Sequence, residues 1–170
     1  HFAPWSQRLD ELGLQRTAVT VRGEDDNPIS ADAANRARGV ANNKKAVECA
    51  QAAGCTHLVG PLHSAIGCFS GQGPTEDEWK RGVESMAEVA EYAGQCGVTL
   101  GIESLNRFEC YLINTHADAA RFVKEVNHPN CRAMYDTFHS HIEEKDTPEA
   151  IRACADVLTH VHISENDRST

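Results

Sequence analysis

Three short apolar runs each close on a residue able to hold a metal ion. Thr99-Leu100-Gly101-Ile102 ends on Glu103, Ala133-Met134-Tyr135 on Asp136, and His160-Val161 on His162. The steps between them, 136 − 103 = 33 and 162 − 136 = 26 residues, each span one strand, one crossover helix and two loops. In an open twisted sheet, consecutive strand ends fan apart. In a (β/α) barrel they converge on one axis, where three or four can share an ion. The spacing therefore predicts a parallel barrel with a site at the C-terminal ends of its strands. Gly101, Met134 and His160 should point inward one layer below that site.

The rest of the chain repeats the same alternation. Trp5, Leu9 and Leu12 space an amphipathic helix from Trp5 to Leu14, with Gly13 as its stop, and Thr17 to Val21 follows as a strand. A long helix runs from about Ala31 to Ala53, with Gly54 as its stop. Thr56 to Leu62 is the next strand. Thr75-Glu76-Asp77-Glu78 is a capping box opening a helix that ends near Gly97, and Val98 to Leu105 is the strand after it. Thr115 starts another helix, and Cys131 to Tyr135 is a strand. Thr147-Pro148-Glu149, an N-cap followed by proline, opens a helix to about Val157, and His160 to Ser164 is the last strand. Five strands fall short of the eight strands and about 250 residues of a complete barrel. The expected fold is α/β, a TIM barrel present as about five β/α units within one domain, 1–170.

Composition narrows the function classes. The net charge is −9, from 16 basic and 25 acidic side chains, which disfavours nucleic-acid binding through phosphates. No apolar stretch approaches the roughly 20 residues of a membrane span, and the N-terminus lacks the pattern of a signal peptide. Seven cysteines, odd in number and without CxxC spacing, read as reduced thiols in a cytoplasmic protein. Two acids and a histidine suit a divalent ion accepting oxygen and imidazole, such as Mn2+, Mg2+ or Co2+. Glu103 is suited to be both ligand and base. Among the other histidines, His57, His116, His128 and His141 are expected in surface or loop positions, and His63 on the pocket wall.

The segment Glu103-Ser104-Leu105-Asn106-Arg107-Phe108-Glu109, followed by Asn114, resembles the E-x-x-N-R-F-E segment of the D-tagatose 3-epimerase and D-psicose 3-epimerase family of xylose isomerase-like barrels. Asp136-Thr137-Phe138-His139 and His160-Val161-His162 through Arg168 are similar to that family's D-T-F-H and H-x-H-x-x-E-x-x-R segments. The resemblance implies metal ligands Glu103, Asp136 and His162, with Glu103 also the acid/base on one substrate face. It implies sugar-binding roles for Glu109, His139 and Arg168, and Mn2+ as the cofactor. The implied reaction is ketose 3-epimerisation through an enediolate. A sugar 1,2-isomerase, acting on a sugar, a sugar phosphate or hydroxypyruvate, uses the same ligands. A hydrolase of the abasic-site endonuclease type shares the barrel but needs more histidines and basic loops.

The family completes its site with a second glutamate from the eighth strand. By this alignment the chain holds strands three to seven, so it is expected to be a fragment with little or no epimerase activity alone. Its open sheet edges favour self-association into a homo-oligomer.

Overall fold

The structure is a computed structural model that describes residues 3–168. Five strands, β1 (Thr17–Val19), β2 (His57–Gly60), β3 (Thr99–Ile102), β4 (Cys131–Asp136) and β5 (Leu158–His162), pair in that order, and every pairing is parallel. Helices α1 (Ala3–Glu11), α2 (Ala33–Ala52), α3 (Glu76–Gln95), α4 (His116–Val126), α5 (Thr137–Glu143) and α6 (Thr147–Cys154) make up the rest, with a short 3-10 turn at Glu24–Asp26. Sequential order with parallel pairing is the topology of a barrel segment, as expected. Among the described residues, no helix is long and apolar enough to cross a membrane.

Period-two alternation divides each strand between two environments. Leu58, Leu100, Ile102, Ala133 and Tyr135 join one buried cluster with Val47 of α2, Met86 and Val89 of α3, and Phe122 of α4. Phe122 meets Trp79 edge-on at 5.3 Å between ring centroids. Val59 and Met134 are buried too but stand outside that cluster, on the opposite, inner face with Gly101. The sheet is open at both edges: Val19 and Val21 at the β1 side and Val161 and Ile163 at the β5 side are exposed.

Gly101 is required by close approach. A Cβ built there would lie 2.7 Å from Val59 Cγ1 and 3.5 Å from Thr159 Cγ2. The Thr159 contact arises from a bulge: Ala133 pairs with Leu158 and Met134 with His160, leaving Thr159 unpaired. Its hydroxyl meets His57 Nε2 at 2.9 Å across the inner face. Replacing Gly101 with Ala should overpack this layer and cost about 1–3 kcal/mol, read as a lower urea midpoint with unchanged slope. A neutral outcome would mean that Val59 has room to move.

Several boundaries differ from expectation. β5 starts two residues early, at Leu158, and ends at His162, with a bulge at Thr159 inside it. The α6 cap is Asp146, whose carboxylate accepts the Glu149 N–H, so Thr147 is the first helical residue. Helix α5 was not expected at all. The apolar spacing in α1 does not bury a face: Trp5 is 74% exposed and Leu12 53%. Polar bonds tie this helix down, Ser6 Oγ donating to the Ala53 carbonyl and Arg16 to the Ser6 carbonyl. His116, expected at the surface, is buried at the start of α4, stacked on Tyr135 at 4.1 Å with Nδ1 3.0 Å from Glu144 Oε1. Half-buried His57 faces the inner layer.

Candidate active site

The three strand ends do converge. Glu103 follows β3 directly, its N–H donating to the Gly60 carbonyl at the end of β2. Gly60 itself has φ +127, and a Cβ there would lie 2.4 Å from the Thr20 carbonyl oxygen, so only glycine fits the turn that receives Glu103. Asp136 closes β4 and caps α5, with Oδ1 accepting the N–H of Phe138 at 2.8 Å and of His139 at 3.4 Å. His162 ends β5 with Nδ1 3.4 Å from Asp136 Oδ2 and 3.8 Å from Glu103 Oε1. His139, carried by α5, brings Nε2 to 3.7 Å from Glu103 Oε1.

All six residues singled out in the sequence line one cavity of about 270 Å³. Arg168 Nη2 donates to Glu109 Oε1 at 2.9 Å while its guanidinium lies 4.0 Å from the Phe138 ring centroid. Phe138, Leu105, Ile66, Val19 and Val21 give the cavity an apolar wall. A larger groove, about 360 Å³, lies between α2 and α3 on the outer surface and holds no such cluster.

Burial, reinforced by the neighbouring Asp136, pushes the Glu103 carboxyl up to about 8. Two buried acids side by side are costly without a cation between them, and the donor set of carboxylates and imidazole fits a hard or borderline divalent ion. Ligand atoms of Glu103, Asp136 and His139 all lie within 4.8 Å of one another. Proton placement argues against His139 as the imidazole ligand. The Asn106 main-chain N–H donates to His139 Nδ1 at 3.1 Å, and Asn106 Nδ2 lies 3.0 Å from the same atom. A main-chain N–H can only donate, so the neutral ring carries its proton on Nε2, the nitrogen facing Glu103. Burial holds this imidazole below its usual pKa and so keeps it neutral. His139 thus presents a hydrogen-bond donor to the cavity, while His162 turns Nδ1 toward both acids.

Sequence reasoning gave Asn106 no role, yet it links three site groups. Its side chain donates to Glu109, meets His139 and accepts the Phe108 N–H. A polar residue three positions before a site acid was the available signal. Arg107 and Glu143 fasten the same loop to α5 through bidentate bonds at 2.8–3.2 Å. His63 does not line the cavity. It sits behind Glu103, fully buried, with Nε2 3.1 Å from the Glu103 carbonyl oxygen, and burial pushes its pKa down to about 4.

Comparison with known proteins gives the family of the fold. Residues 3–170 match the family model described as xylose isomerase-like TIM barrel. The chain belongs to that family. An L-ribulose 3-epimerase from Mesorhizobium japonicum is 38% identical over 164 residues, covering 96% of this chain and 54% of the relative. A D-psicose 3-epimerase from Ruminiclostridium cellulolyticum is 50% identical over 91 residues, 54% of this chain and 31% of the relative. A solved L-ribulose 3-epimerase superposes with a TM-score of 0.94 at 35% identity, covering 99% of this chain and 56% of that one. The chain therefore spans about half the length of these xylose isomerase-like relatives, and its five strands are part of their barrel.

Proposed function

We propose that this chain carries the metal-binding and proton-transfer side of a ketose 3-epimerase. The observation that carries the reading is the convergence of Glu103, Asp136 and His162 from successive strand ends on the cavity that also holds Glu109, His139 and Arg168. In this reading Glu103, Asp136 and His162 hold a divalent cation, Mn2+ by the family resemblance. When bound, such an ion polarises a sugar carbonyl and its neighbouring hydroxyl and lowers the cost of removing the adjacent proton. Glu103 takes that proton. Its affinity for a proton, about 8 without a cation, lies in the range useful to a base near neutral pH. The His139 Nε2–H and Arg168 offer donors to the oxyanion of the enediolate, and Glu109 accepts from a sugar hydroxyl.

Of the five described strands, only β3 leads into a glutamate in the cavity, so the proposal covers one face of the substrate. One face suffices for a direct test, since a single base can exchange a carbon-bound proton with solvent without inverting the carbon. In D2O with Mn2+, this chain should incorporate deuterium next to the carbonyl of a ketohexose faster than its Glu103→Gln variant. Equal rates with Mn2+ demonstrably bound would defeat the reading.

L-ribulose and D-psicose 3-epimerases among the relatives favour carbon 3 over 1,2-isomerisation. A solved AP endonuclease, family 2, from Brucella melitensis has a TM-score of 0.75 at 20% identity, which shows a common fold and nothing of hydrolysis.

Arg168 separates sugar binding from metal binding. Arg168→Ala removes a charged donor and its contact with Phe138, so sugar affinity of the Mn2+-loaded chain should fall roughly 10- to 100-fold while Mn2+ affinity stays within about twofold. Calorimetric titration of each ligand checks this, and equal losses of both would contradict it.

A further inference from the structure

Glu103 is held by more than its strand. Both of its main-chain polar groups are bound by the end of β2 and the loop after it: the N–H by the Gly60 carbonyl at 3.1 Å, the carbonyl by His63 Nε2 at 3.1 Å. His63 Nδ1 lies 2.9 Å from Ser64 Oγ, and Ser64 Oγ lies 3.2 Å from Cys110 Sγ. His63, Ser64 and Cys110 are all at most 2% exposed.

Only one arrangement of protons satisfies this run. A carbonyl oxygen can only accept, so Nε2 carries the His63 proton. The neutral ring then accepts at Nδ1, Ser64 donates its hydroxyl there, and Ser64 Oγ accepts the Cys110 S–H. The Phe122 ring packs on the imidazole at 5.9 Å, and Asn43 Nδ2 donates to the Leu62 carbonyl just before it. Cys110 adjoins Glu109, whose own carbonyl accepts the Gly67 N–H at 2.9 Å. The two ends of the 103–110 segment, each bearing a site carboxylate, are thus anchored to the same short stretch, 60–67.

We propose that His63 is a positioning residue: through the buried run from Cys110 to Ser64 to His63 to the Glu103 carbonyl, it fixes the direction of the Glu103 carboxylate and its placement relative to Glu109. The proposal rests on the proposed function for the importance of Glu103, and its test does not need a metal. A histidine suits this position because it is a rigid two-ended connector: one nitrogen donates, the other accepts, and the ring fills space against Phe122. Glutamine at 63 places an amide nitrogen near the position of Nε2, whereas leucine fills space without donating.

Amide hydrogen exchange on the full 170-residue chain without metal provides the test, comparing the parent with His63→Leu, His63→Gln and Ser64→Ala. Loss of one buried hydrogen bond should speed exchange of the Glu103, Leu105 and Cys110 amides about tenfold in His63→Leu. Amides in the middle of α2 and α3 should keep their rates, and His63→Gln should restore the segment. In the parent, the 15N spectrum of His63 should show protonated Nε2 and bare Nδ1. Ser64→Ala should preserve the fold and shift the Nδ1 resonance. It keeps the test decisive should His63→Leu not fold.

A uniform rise across β2, β3, α3 and α4 would make His63 a space-filling core residue and overturn the proposal. So would unchanged rates over 103–110, or the opposite tautomer. Mn2+ titration of the same samples tests the functional reading separately. The expected exchange pattern in a chain that binds no Mn2+ would support the positioning role and remove the metal site.

Discussion

Replacing Glu103 with glutamine is expected to stabilise the metal-free chain at alkaline pH while abolishing proton transfer. In the fold this carboxyl holds its proton up to about pH 8, against 4.5 for an unperturbed group. Between those values the folded state binds a proton that the unfolded chain has released, so stability falls as pH rises through the window and levels off above it. The interval bounds the effect at about 5 kcal/mol. Glutamine mimics the neutral acid at every pH. Parent and variant should therefore unfold alike near pH 4, and the variant should melt roughly 5–10 °C higher near pH 9. Saturating Mn2+ should reverse the order, because the ion binds the ionised parent more tightly than the variant and stabilises its fold more. Thermal unfolding at both pH values, with and without Mn2+, checks all of this. Parallel melting curves across the range would mean that Glu103 is ionised at no cost, which is incompatible with its 6% exposure beside Asp136.

Asp136 should separate structure from ligation. Its Oδ1 caps α5 while Oδ2 faces His162. Asparagine preserves a capping oxygen and removes the charge, whereas alanine removes both. Asp136→Asn should therefore keep stability close to the parent's, and Asp136→Ala should lose about 1 kcal/mol more through the uncapped helix. Mn2+ affinity should fall at least about 100-fold in both, since even partners behind a ligand are worth 10- to 100-fold. Urea unfolding and paramagnetic resonance titration measure the two effects independently. Retained affinity in Asp136→Asn would remove this residue from the ligand set.

The strands that carry the acids were legible because a short apolar run closed by a charged residue marks a buried strand leaving the core at its end, and β3 and β4 lie where the runs lie. Convergence of Glu103 and Asp136 followed from their spacing. Other features depend on contacts that no local pattern encodes. Helix α5 has seven residues and begins on Asp136, so a ligand reading of that aspartate hid its capping role. The bulge within β5 depends on pairing with β4. His116 lies in a first helical turn, ordinarily a solvated place, and is buried by the ring of Tyr135 from a strand. The division of roles between His139 and His162 rested on the resemblance, since no local pattern distinguishes a ligating ring from a donating one. The proton on His139 is set by the Asn106 N–H that donates to its Nδ1, a contact between the loop after β3 and helix α5 of a separate β/α unit.

Gly101 has a consequence beyond its own strand. A Cβ at 101 would lie 2.7 Å from Val59 Cγ1 on neighbouring β2, while Thr159 in the β5 bulge stands at ordinary contact distance, 3.5 Å. Gly101 and Val59 behave as socket and plug. A lineage that gains a side chain at 101 has to lose bulk at 59. Positions 42 residues apart should accordingly drift together, an evolutionary linkage set by the layer beneath the ligands and independent of the sugar above them.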